Sequence, residues 1–323
     1  MSDVKEPSYA KIHYLLRPAK NIQRKMMGEA LQRLDRQYPI RDYRYVGFGS
    51  IYFGDFSLFH RLLGISDMVS IEGNEDDEDR VRFNAPYSCI DVKMGLSNAK
   101  LPEIPLAEKR WVLWLDYDFC IDATVLKDVK YAATQAIPGS VLAVTLDADF
   151  KGLNDYPTWA PDEDLEDFQK KNPAQKLAYK LQRDVLPSVE TQGDRLAETY
   201  RRFLLDEIGA GTASNYDNPH LSIHQFLNFR YADGREMMTL AILFLEEGSG
   251  ISVDRFNFSG LRFCRTESDT FRINAPKLTP LEIRRLNQEL PTPMQSSVPI
   301  SEGDRSQYRE VYRYFPAFAE MEL

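Results

Sequence analysis

Three short apolar runs in this chain each stop at glycine or at a carboxylate. Tyr45-Val46 gives way to Gly47-Phe48-Gly49-Ser50, Met68 to Ile71 ends at Glu72-Gly73, and Trp111 to Leu115 ends at Asp116-Tyr117-Asp118. Glycines at a strand end permit a tight turn and the close approach of a ligand. An acid closing the next strand, about twenty residues further on, is placed to accept hydrogen bonds from ribose hydroxyls. It would also suit the positive end of the helix that follows. Asp116 and Asp118 can hold a metal, act as general base, or hydrogen-bond an acceptor amine or hydroxyl. The plain alternative for them is a solvated turn. Asp147 and Asp149 close a further run and are weaker candidates for the same edge.

These runs need a parallel sheet to bring their ends together. The pattern predicts strands at about 43–46, 67–71, 88–92, 111–115 and 140–146, with helices at about 20–36, 53–63 and 122–135 between or before them. Short strand–helix–strand spacing implies right-handed parallel crossovers. In an open α/β sheet, ligands bind outside the carboxyl ends of the strands. The acidic run 74–80 suits a helix start.

After 147 the pattern changes. Residues 150–220 read as a helical insertion placed to cover the ligand edge. One helix carries Leu177, Leu181 and Val185, capped by Asn172-Pro173 and ended by Pro187. Another, 194–208, is expected to stop before Gly209 and Gly211. Runs 224–231 and 236–244, joined through Asp233-Gly234, read as an antiparallel hairpin. The tail from 260 to 323 reads as a small helical or winged-helix-like unit, with a capping box at Thr279-Pro280-Leu281-Glu282. The expected organisation is an N-terminal helical segment (1–40), a main α/β domain (41–259) and that tail.

A formal charge of −9 argues against general nucleic-acid affinity. Cys89, Cys120 and Cys264 are too scattered for a disulfide framework or a metal site, which points to reduced thiols and a cytoplasmic setting. The first residues lack the apolar stretch of a signal peptide, and no run is long enough to span a bilayer.

This order resembles the class I S-adenosylmethionine-dependent methyltransferases over about residues 40–245: a mostly parallel Rossmann-like sheet, a glycine loop after strand one, an acid after strand two, aspartate after strand four and a late hairpin. The resemblance implies S-adenosylmethionine as cofactor. Gly47, Gly49 and Ser50 would lie beside its methionine part, Glu72 on the ribose hydroxyls and Asp91, after strand three, at the adenine amino group. Asp116 and Tyr117 would face the acceptor, with Asp116 or Asp118 orienting or deprotonating it. Two positions depart from the pattern: Tyr45 replaces the acid before the first glycine, and Ile51 stands at the third glycine position. No Asn/Asp-Pro-Pro-Tyr run appears, so base amino-group methylation by that route is not implied.

Three segments carry a closer resemblance: 17–24 (Arg17-Pro18-Ala19-Lys20-Asn21-Ile22-Gln23-Arg24), 46–53 and 114–118. They look like a bacterial group of predicted O-methyltransferases, some suspected of roles in phage defence. That resemblance implies O-methyl transfer and a partner in a defence complex. Two other readings stay open: a catalytically degenerate nucleotide sensor or scaffold, and a nucleic-acid-processing enzyme. The last would hold phosphates with Arg17, Lys20, Arg24 and Lys25, although such a basic helix face is more often simply solvated. His220 and His224 do not share a helix face, so they are not expected to ligate metal, and Cys120 reads as a buried structural thiol.

Overall fold

The structure, a computed structural model, describes residues 17–184, 186, 190, 194–291 and 298–316. Helix α1 (Pro18–Gln32) precedes β1 (Arg44–Gly47), α2 (Gly54–Leu63), β2 (Asp67–Glu72), α3 (Glu78–Asn84) and β3 (Ile90–Met94). A short helix α4 (Ser97–Lys100), β4 (Trp111–Asp116), α5 (Ala123–Thr134) and β5 (Val141–Asp147) complete the parallel half. The insertion holds α6 (Leu165–Lys170), α7 (Pro173–Lys180) and α8 (Asp194–Ala213). The hairpin β6 (Leu221–Ala232) and β7 (Glu236–Glu246), strand β8 (Phe271–Ile273), and helices α9 (Pro280–Glu289) and α10 (Glu302–Val311) follow.

The eight strands form one sheet in the order β3-β2-β1-β4-β5-β7-β6-β8. Strands β1 to β5 pair in parallel, while β7 runs antiparallel to both β5 and β6. The expected mixed α/β sheet ending in a hairpin is therefore what forms. The two sides of the sheet are two cores. Tyr45, Val112 and Trp114 pack with α1 and α2, whereas Val46, Leu113 and Leu115 pack with α5 and α8. This period-two alternation decides which way each residue at a strand end points.

Four local readings differ from the structure. Helix α1 keeps its apolar residues inside, but Lys20 and Arg24 are also buried, at 3% and 7% exposure, so that face is not a solvated one. Strand β3 runs from Ile90 to Met94, two residues later than expected, so Asp91 is its second residue and does not follow it. Helix α8 does not stop at Gly209 but runs on to Ala213. Its path is explained by Gly211, where an added Cβ would lie 2.5 Å from the Lys130 carbonyl oxygen of α5; glycine there lets two helices approach closely. Helix α7 is capped by Asn172 as expected but closes at Lys180, while Val185 and Pro187 lie outside the described residues.

The tail contributes to the main body. Strand β8 pairs parallel to β6, and Phe263, Phe271, Val311 and Tyr314 join the core under α1. The Tyr314 hydroxyl donates to the Glu29 carboxylate on α1, and Lys25 Nζ donates to the Phe315 carbonyl.

Candidate active site at the carboxyl edge of the sheet

Gly47 ends β1, pairing with Ser70 of β2 and Trp114 of β4, and Gly49 and Ser50 follow it. The loop is tight: Ser50 and Phe53 both adopt left-handed backbone conformations, with φ of 53° and 46°. Non-glycine residues reach that region at an energetic cost of about 1–2 kcal/mol. The loop is held by the end of β2. Gly49 N–H donates to Ser70 Oγ at 2.9 Å, Ser70 Oγ donates to Glu72 Oε1 at 2.5 Å, and Ser50 N–H donates to the same oxygen at 3.0 Å. Burial lifts the Glu72 pKa to about 7, against the pull of the Ser70 hydroxyl and the loop amides. The Ser50 Oγ is buried with no hydrogen-bond partner among the described residues.

Asp116 ends β4 on the same face as Tyr45 and Trp114, and what it meets there was not legible in the sequence. Lys20 Nζ donates to Asp116 Oδ1 at 2.5 Å and to the Tyr231 hydroxyl at 3.1 Å, and lies 4.9 Å from the Trp114 ring centre. Burial lowers the Lys20 pKa to about 8, with Asp116 opposing the shift. The hairpin fixes the start of α1, because Asp233 in the β6–β7 turn accepts from the Ala19 and Lys20 amides at 3.3 and 2.9 Å. Asp116 itself is 23% exposed, so the pair sits at the boundary between core and edge.

Beside the glycine loop, Tyr45 donates its hydroxyl to Asp55 Oδ2. Asp55 is buried, and burial raises its pKa despite the Arg24 charge and this hydrogen bond. A Cβ on Gly47 would lie 2.7 Å from the Tyr45 hydroxyl and 3.4 Å from Asp55 Oδ2. A carboxylate therefore stands close to the first glycine even though Tyr45 occupies the usual acidic position. It comes from the first turn of α2, ten residues later, where no motif spacing would have pointed to it.

Several residues expected at the site are placed elsewhere or occupied. Tyr117, one residue past Asp116, points to the opposite face and donates its hydroxyl to Asp128 of α5 at 2.7 Å. Its ring packs edge-on to Phe48 at 5.2 Å. Asp118 is exposed. Asp91 is the second residue of β3, opposite Val69 and three residues short of the strand end, with Lys93 3.5 Å away. That location is remote from the carboxyl edge, so the structure does not bring Asp91 to the other site residues. Asp147 is fully buried and ion-paired to Arg235 at 2.7 Å, with Arg235 also reaching Asp155 at 2.9 Å; it fastens the insertion to the hairpin. Cys120 is buried, its pKa raised by burial, and its thiol donates to the Gly152 carbonyl. Among the described residues, no group of three or more His, Cys, Asp or Glu could hold a metal, and no helix is long and apolar enough to cross a membrane.

The mostly parallel sheet, with its glycine loop, closing acid and antiparallel hairpin, is a Rossmann-like α/β architecture. The chain belongs to the family described as "Putative O-methyltransferase", which matches it over residues 12–323. The chain is also similar to three solved structures. Trm1 from Pyrococcus horikoshii, in complex with S-adenosyl-L-methionine, is 14% identical with a TM-score of 0.44, over 70% of this chain and 55% of that one. An O-methyltransferase from Bacillus cereus, in complex with SAH, is 18% identical with a TM-score of 0.39, over 75% and 94%. The O-methyltransferase TomG from Streptomyces achromogenes, in complex with SAM, is 16% identical with a TM-score of 0.37, over 67% and 79%. No curated protein matches in sequence.

Proposed function

We propose that this chain transfers a methyl group from S-adenosylmethionine to an acceptor oxygen at the edge where Glu72, the glycine loop and the Lys20–Asp116 pair meet. The observation that carries the reading is Glu72: a largely desolvated carboxylate locked against the amide of Ser50, with a pKa near 7. A partly buried carboxylate, with one oxygen held by Ser70 and Ser50, is a good partner for a vicinal diol, whose hydroxyls can donate to it. The residues therefore fit the cofactor: Glu72 for the ribose, Gly49 and Ser50 for close approach, and Phe48 as an apolar wall. When bound, S-adenosylmethionine supplies the activated methyl group.

The chain's own part is positioning and proton handling. Asp116, partly exposed, orients the acceptor hydroxyl. Lys20, whose pKa of about 8 leaves a neutral fraction near neutral pH, takes up the proton of the acceptor hydroxyl in that neutral form, and Asp116 stabilises the ammonium that results. The degenerate-scaffold reading drew on Tyr45 replacing an acid; the carboxylate of Asp55 beside Tyr45 weakens that motive. Nucleic-acid binding through Arg17, Lys20, Arg24 and Lys25 is disfavoured by the burial of Lys20 and Arg24. A role in antiviral defence, with a protein partner, rests on the sequence resemblance alone. A cytoplasmic setting rests on the three unpaired cysteines.

Calorimetric titration of S-adenosylmethionine, with Glu72→Ala as control, tests the cofactor site. Saturable binding that the variant loses supports the reading. Absence of binding to folded protein moves it to the scaffold alternative.

A further inference from the structure

Arg24 lies one helical turn beyond Lys20 on the inward face of α1, and only 7% of it is exposed. Its Nε and Nη1 groups are buried without a hydrogen-bond partner among the described residues. Such a state is costly: a buried charged donor left unpaired forfeits its hydration with nothing in return. Its charge acts on Asp55, Tyr45, Tyr231 and Lys20, so the guanidinium stands among the groups beside the glycine loop and the end of β4. Asp55 feels the Arg24 charge, yet it is engaged by the Tyr45 hydroxyl, and among the described residues it closes no ion pair with Arg24. A second orphan faces the core from the same helix. Gln23 Nε2 donates to Thr239 Oγ1 at 2.5 Å, while Gln23 Oε1 has no partner among the described residues.

A buried arginine with free donors and a buried carboxylate kept apart from it make a site with both signs of charge. The ligand that satisfies both is an amino-acid end, carrying a free carboxylate and an ammonium. Planar guanidinium donors match a carboxylate in bidentate geometry.

We infer that Arg24 of α1 binds the carboxylate, and Asp55 of α2 the ammonium, of the amino-acid end of the cofactor, so that an N-terminal helix outside the nucleotide-binding motif selects intact S-adenosylmethionine over truncated nucleosides. This rests on the cofactor reading above and deepens it by assigning residues that no motif marks. It also accounts for the two buried cations of α1 by separate roles: Lys20 is satisfied by Asp116 and Tyr231, and Arg24 awaits a ligand.

The test uses the full chain and two probes, S-adenosylmethionine and its decarboxylated analogue, which differs only by the carboxylate. Binding is read by calorimetry, with thermal unfolding to confirm folded protein. Wild type is expected to prefer the intact compound by about 10- to 100-fold, the range for a charge-assisted hydrogen bond. Arg24→Met should erase that preference, weakening the intact ligand while leaving the analogue's affinity unchanged, and Arg24→Lys should restore part of it. Equal affinity of wild type for both probes overturns the inference, and so does a variant that weakens both alike or neither. If Arg24→Met does not fold, the wild-type comparison and Arg24→Lys still decide the matter. Failure of both probes to bind folded wild type instead removes the cofactor reading itself.

Discussion

The ammonium of Lys20 lies 2.5 Å from Oδ1 of Asp116, joining the first turn of α1 to the carboxyl end of β4. Ninety-six residues separate the two in sequence. The pair couples the N-terminal helix, the hairpin and the central strand at a single point, because Lys20 also holds Tyr231 while its amide is capped by Asp233.

Removing one partner of this pair leaves the other charge without compensation. Asp116→Asn is expected to lower stability by about 3 kcal/mol, the magnitude for breaking a buried ion pair. Lys20→Met should cost less, since Asp116 retains access to water. The double variant should recover most of the loss of Asp116→Asn. Urea unfolding of the three variants gives the coupling directly.

Lys20 also predicts a pH signature. Its folded pKa, about 8, lies below the usual 10.5. Between these values the unfolded chain binds the extra proton, so this group adds stability as pH rises from about 8 toward 10.5. Lys20→Met should flatten that rise in pH-dependent unfolding, and an unchanged slope would contradict the assignment.

Glu72 acts in the opposite sense. Its pKa is raised from 4.5 to about 7, so its contribution is fully present below 4.5 and is lost as pH climbs through 7. The loss is roughly 3–4 kcal/mol at 1.36 kcal/mol per unit. Glu72→Gln should therefore stabilise the ligand-free protein at pH 8 while weakening cofactor binding. Hydroxyl donors favour the ionised form, so binding near pH 6.5 should release protons, measurable as a dependence of binding heat on buffer.

Tyr117→Phe separates structure from catalysis. The lost hydrogen bond to Asp128 should cost about 1–2 kcal/mol, because among the described residues the buried carboxylate keeps only Ser97 as a donor. Cofactor affinity should be unchanged. A large drop in affinity with unaltered stability would place the tyrosine at the site after all.

The two glycines of α8 should behave oppositely. Gly209 has open space where a Cβ would stand, so Gly209→Ala should stabilise the helix by about 0.5–1 kcal/mol. Gly211→Ala pushes a methyl to 2.5 Å from the Lys130 carbonyl oxygen and 2.8 Å from Ala133 Cβ. Overpacking of that kind costs about 1–3 kcal/mol. Parallel thermal melts would show one midpoint rising and the other falling.

The amino-acid sequence by itself determined the strand ends. Apolar runs cut off by Gly47, Glu72 and Asp116, and the Asp233-Gly234 turn, are local signals set by backbone sterics and two-residue periodicity. They located the sheet, its hairpin and the edge that carries the site. Tertiary structure decided everything that depends on which face meets which. A basic helix residue has the same sequence signature whether water or a buried carboxylate satisfies it, so the interior placement of Lys20 and Arg24 was not legible. Tyr117 follows Asp116 directly, yet alternation sends it to the other core, where Asp128 awaits it. Asp55 reaches the first glycine only because α2 folds back over β1. Contacts of this kind arise from the sheet order and helix packing, which bring distant residues together without leaving a spacing to read.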